Sequence, residues 1–177
     1  MIANKRTYSA VLVVLALTLL AASRPLLFAE PSAARWRVQL DQVDSGDVNI
    51  EPAFKVAIYE NLVDELTKTK QFKEVLRSGD RSANGRPDLL ILKTIVEAYT
   101  PGSETRRAVT TVSGATKLRV RSRLCTSQGQ VVMEFVVDGN VRFFGGNLRA
   151  THNLARNVAH DIQKTKLPDP TPLVSQK

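Results

Sequence analysis

Hydrophobic and polar positions alternate along "ARWRVQLDQV" (34–43). Trp36, Val38 and Leu40 fall on one side and Arg35, Arg37, Gln39 and Asp41 on the other, the period of a half-buried strand. "SGD" (Ser45 to Asp47) closes it. From Glu51 the period lengthens: Phe54, Ala57, Ile58, Leu62 and Leu66 recur every three or four residues, with Pro52 tolerated in the first turn, which predicts an amphipathic helix to about Lys70. "QFKEVL" (71–76) reads as a second strand and "RSGDRSANGRPD" (77–88) as a loop. "LLILKTIVEAY" (89–99) is nearly continuous in apolar and β-branched residues, as in a sheet interior. Its predicted core face is Leu90, Leu92, Thr94, Val96 and Ala98, with Lys93 and Glu97 opposite. A long polar connection, "TPGSETRRAVTTVSGA" (100–115), follows.

"KLRVRSRLCTSQGQVVMEFVVDG" (117–139) predicts a hairpin with Gln128 and Gly129 at the centre of its turn. That register sets Arg123 opposite Glu134, Arg121 opposite Val136 and Arg119 opposite Asp138. The other face then aligns Leu124 with Met133, Ser122 with Phe135 and Val120 with Val137. Shifting by one residue would turn every apolar side chain into water, so both faces select the same pairing. "VRFFGG" (141–146) adds a short strand and a flexible break. Helical spacing resumes at Leu148, Thr151, Ala155, Val158 and Ile162, with Asn147 as the expected N-cap. Residues 166–177, with three prolines in "LPDPTPLVSQK", predict an extended, disordered tail.

The expected architecture is therefore a single α+β domain over 35–165. A mostly antiparallel sheet of four to six strands carries two helices on one face, in the order β-α-β, meander, helix. With 177 residues, 43% hydrophobic and 24% charged, the chain suffices for one core.

A formal charge of +8 suggests a polyanion binder until the first residues are set apart. "MIANKRTYSAVLVVLALTLLAAS" has a basic start at Lys5 and Arg6, an uncharged apolar run from Ala10 to Ala22, and small residues at its end, the layout of a secretory signal. The run is shorter than the roughly 20 residues of a spanning helix. Cleavage is expected after Ser23, with a second site after Ala29, and 24–34 then form a linker. The expected location is periplasmic or secreted; the alternative is a retained membrane anchor, the one case in which membrane contact is expected. Removal of 1–23 lowers the charge from +8 to +6. Cys125 is the lone cysteine, so no internal disulfide staples the domain, and it reads as a core filler.

Lys117, Arg119, Arg121 and Arg123 occupy alternate positions and form the candidate partner-binding set. A solvated sheet face uses this pattern, as does a patch for an envelope protein or cell-wall component. Lipopolysaccharide, acidic lipid or nucleic acid would be the polyanion reading. Nucleic acid is not expected, because no aromatic residue interleaves with these cations as a stacking platform.

Catalytic, cofactor-binding and metal-binding residues are expected to be absent, and the chain is expected not to be an enzyme. His152 and His160 lie eight apart with no acid or thiol at ligand spacing. Asp161, next to His160, points about 100° away on a helix and cannot orient it as in a triad. The glycines of "FFGGN" lack the spacings of a phosphate loop. The enzymatic alternative is a hydrolase with a scattered site built from residues such as His152, Asp161 and Glu97.

The phrases "LVDELTKTKQFKEV", "PDLLILKTIVEAYTPGS", "KLRVRSRLCTSQGQVV" and "GGNLRATHNLARNVAHDI" resemble a bacterial envelope family known as domain of unknown function 4410. The resemblance covers roughly residues 35 to 165. It implies an exported α+β domain and carries no catalytic residues. Many members look like lipoproteins, whereas no cysteine stands near the end of this signal segment.

Overall fold

The structure, a computed structural model, describes residues 35–109, 114–142 and 146–170. The signal segment and the linker lie outside these residues, as do Phe143, Phe144 and Gly145 of the expected short strand and break.

Five strands form one mixed sheet: β1 (Arg37–Leu40), β2 (Glu74–Leu76), β3 (Leu89–Thr100), β4 (Thr116–Thr126) and β5 (Val131–Val141). Their order is β2-β1-β3-β4-β5. β1 runs parallel to both β2 and β3, and β3, β4 and β5 form an antiparallel meander. Two long helices, α1 (Pro52–Thr69) and α3 (Arg149–Lys164), pack on one face, as the pattern predicts. A shorter helix, α2 (Glu104–Val109), occupies part of the expected polar connection.

The α1 stripe is Phe54, Ile58, Leu62 and Leu66, all buried. Pro52 starts the helix without losing a bond, and Lys70 ends it in the left-handed conformation. α3 buries Ala150, Thr151, Leu154, Ala155, Val158, Ala159 and Ile162; its small residues permit close approach to β5 and α1. Leu148, expected in the core, is exposed because it precedes the first helical turn. Asn147 does not cap this helix. It accepts from the Thr116 hydroxyl at 2.7 Å, and its amide donates to the Gly102 carbonyl at 3.3 Å.

Two strand predictions need local correction. β3 carries a bulge between Val96 and Ala98, which turns Ala98 to solvent and brings Tyr99 towards the core, its ring centroid 4.9 Å from that of Phe54. At the hairpin tip the turn has three residues rather than two. Gly129 (φ 86°) donates to the Thr126 carbonyl at 2.9 Å, and Thr126 N–H bonds the Gln130 carbonyl at 2.8 Å. Leu124 still pairs with Met133 while Cys125 pairs with Val131, so Val132 is the extra residue. That bulge absorbs the third turn residue, and the predicted register holds from Leu124 back to Arg119.

The tail also departs from expectation. Leu167 packs against the core, the Trp36 indole donates to the Pro168 carbonyl at 2.6 Å, and Arg35 pairs with Asp169. Residues 166–170 therefore run as a strap across the start of β1, because Trp36 offers both an apolar ring and a donor. The rest of the tail, 171–177, lies outside the described residues.

Candidate functional site

Side chains of β4 alternate between two environments: Leu118, Val120, Ser122 and Leu124 are buried, and Lys117 and Arg119 stand in solvent. Arg121 and Arg123 share the outer face, half-exposed. Among the described residues no long helix covers this face, since α1 and α3 contribute to the core on the other side.

The three arginines form a ladder of charge-assisted bonds rather than a row of free cations. The Arg119 fork meets Asp138 through Nε at 2.8 Å and Nη2 at 3.2 Å. Arg121 donates from Nε to Glu97 and from Nη1 to Glu134, each at 2.6 Å. Arg123 Nε reaches the other oxygen of Glu134 at 2.8 Å. The hairpin register anticipates Arg119–Asp138 and Arg123–Glu134. Glu97 joins through the pairing of β3 with β4, where Arg121 sits opposite Ile95, and nothing within the hairpin points to it.

Hydrogen bonds from Arg121 and Arg123 hold the Glu134 carboxyl below the usual range, and Arg119 does the same to Asp138. The bond from Asp138 raises Arg119, and those from Glu134 and Glu97 raise Arg121. These groups are solvent-exposed, so the ladder orders the face more than it stabilises the fold. Lys117 and Lys93 are both exposed and make no ion pair among the described residues. Of the four predicted cations, Lys117 alone therefore keeps an uncompensated charge, and Lys93 is an addition that β3–β4 pairing places beside Arg123.

The scattered hydrolase residues do not converge. Glu97 belongs to the open face, bonded to Arg121, whereas His152 and Asp161 sit on α3, against the opposite face. These two are nine residues apart, about 14 Å along the axis and half a turn round it. His152 Nδ1 lies 3.9 Å from Glu65, and His160 Nδ1 lies 3.8 Å from Asp161, both beyond hydrogen-bond reach. Among the described residues no group of three or more His, Cys, Asp or Glu is placed to hold a metal, and no helix is long and apolar enough to cross a membrane. Cys125 is buried, opposite Ile91 and Val131.

No family model matches the chain, and no curated protein matches it. Solved structures share the fold. A variant of PelC from Paraburkholderia phytofirmans, a dodecamer, superposes with a TM-score of 0.53 at 17% identity, over 74% of this chain and 90% of that one. A second PelC dodecamer from the same organism gives 0.51 at 20% identity, over 72% and 89%.

Proposed function

We propose that this is an exported, non-catalytic protein of the bacterial cell envelope, which binds another envelope component through the open face of its sheet. The observation that carries the reading is the Arg119–Arg121–Arg123 ladder with Glu97, Glu134 and Asp138. Fixed charges of both signs on the outer face of the meander suit a protein surface of complementary charge, where such patterns set orientation and partner choice. A polyanion needs several unpaired cations to displace its counterions, and here the arginines are neutralised by carboxylates of the same face. The signal-like first residues and the resemblance to an exported family support the compartment. PelC, which shares the fold, assembles as dodecamers, so a second copy of this chain is one candidate for the component.

Lys93→Gln with Lys117→Gln removes the two unpaired charges of this face and adds no carboxylate to compete for the ladder's arginines. Crosslinking in envelope fractions should capture a discrete protein with the wild-type chain and lose it with this variant. Capture unchanged by the variant, or no capture under several conditions, would remove the sheet face from consideration. Heparin retention that falls steeply between low and physiological salt would favour the polyanion reading instead.

A further inference from the structure

The connections around the parallel strands leave on opposite sides of the sheet. From β1 the chain crosses the main-core face as α1 before entering β2. From β2 it crosses the other face, where Ala83 of a 3-10 turn (Arg81–Ala83) closes a separate apolar cluster over Leu76, Leu89 and Ile91. β1 and β2 are neighbours, so the chain diverges at their carboxyl ends. Such a switch point opens a crevice, the position at which open parallel sheets bind their ligands.

A cavity of about 430 Å³ lies there, bounded by the residues that follow β1 and β2 and by the first turns of α1. One wall is rigid. The Tyr59 hydroxyl accepts from the Ser78 N–H at 2.8 Å, the Arg77 guanidinium lies 5.8 Å from the Tyr59 ring centre, and the Arg77 carbonyl is held by Gln39 at 3.1 Å. The charge of Arg77 is matched within the wall by Glu60, which accepts its two bonds at 2.5 and 2.7 Å. The apolar lining is Val43, half-buried, and Val56, 61% exposed at the rim. Lys55, adjacent to Val56, lines the same cavity and makes no ion pair among the described residues.

We infer that this crevice binds a small organic monoanion, a carboxylate on an apolar body. Lys55 takes the carboxylate, and Val43, Val56 and the Tyr59 ring take the apolar part. Charge selects the class, because among the residues lining the cavity Arg77 and Glu60 cancel and the Lys55 ammonium remains. The volume accommodates an aliphatic or aromatic body rather than an ion alone. This site is separate from the open-face ladder, and either assignment stands without the other.

Titration of the full chain with octanoate, followed by amide chemical shifts, tests it, with octanol and octylammonium as controls of equal apolar length. Octanoate should produce saturable shifts confined to residues 42–43, 55–60 and 77–78. Lys55→Glu and, separately, Val56→Asp should each weaken it by about tenfold or more. Both positions face solvent at least in part, so these variants keep the fold, which the remaining amide shifts report. Absence of saturable shifts, equal binding of octylammonium, or an affinity unchanged in Lys55→Glu would overturn the assignment.

Discussion

A β-carbon placed on Gly139 of β5 would stand 2.3 Å from the carbonyl oxygen of Ala150 in α3. The backbone of the helix thus rests directly on the strand, with Leu154 filling the remaining space at 2.6 Å. The need is for room, not for an unusual backbone angle. Gly139→Ala should lower stability by about 1–3 kcal/mol, since helix and strand must separate to admit a methyl group. Urea denaturation measures this, and an unchanged midpoint would mean that α3 does not sit so close.

The same helix guards the sheet edge. Asn153 donates to the Asn140 carbonyl and Asn157 to the Asp138 carbonyl, each at 2.8 Å. These carbonyls belong to an edge strand, whose open backbone is a template for another chain. Replacing both asparagines by aspartate removes two donors and should cost about 1–3 kcal/mol in total. It should also promote concentration-dependent association in gel filtration with light scattering.

Acid should loosen the open face. Glu134 and Asp138 have carboxyls held below their ordinary values by the arginines of β4. A lowered folded-state value gives stability that is present above the unfolded value and is lost as pH falls through the folded one. Asp88 behaves likewise: burial alone would raise it, but bonds from Lys73 and the charge of Arg37 bring it down. The urea midpoint should therefore decline below about pH 4.5, and Glu134→Gln should flatten that decline. An identical acid limb in the variant would show that the ladder does not couple to folding.

The strap over β1 can be read from one fluorophore. Trp36 is the single tryptophan of the chain and is buried beneath residues 167–168. Truncation after Lys166 removes Leu167 and the Pro168 acceptor. It should shift the emission to longer wavelength and cost about 1–3 kcal/mol. An unshifted spectrum would mean that the tail does not cover the ring.

Period and turn chemistry disclosed a good part of this. The hairpin register was legible because both faces of β4 and β5 obey one pairing, and even a wrong turn length was absorbed by the bulge at Val132. The α1 stripe was legible for the same reason, apolar side chains at a constant angle. The Tyr99 reversal was not, because a bulge at Glu97 answers to the register of β4 and to the Phe54 ring rather than to its own neighbours. Nor was the docking of Leu167 and Pro168 on Trp36, since proline-rich composition predicts extension but says nothing of what the segment lies against.

Away from the bulge at Glu97 and the start of α3, the sequence by itself determined which side chains face water and which face the core, because alternation and helical spacing are local and each residue's environment repeats with the backbone. Tertiary structure alone decided which distant elements share an environment. It placed Glu97 on Arg121 of β4, Asn157 on the β5 edge, and Lys55 and Arg77 around one cavity at the diverging ends of β1 and β2. Such meetings depend on strand order and on the face each connection crosses, which arise from the packing of whole elements and leave no period in the chain.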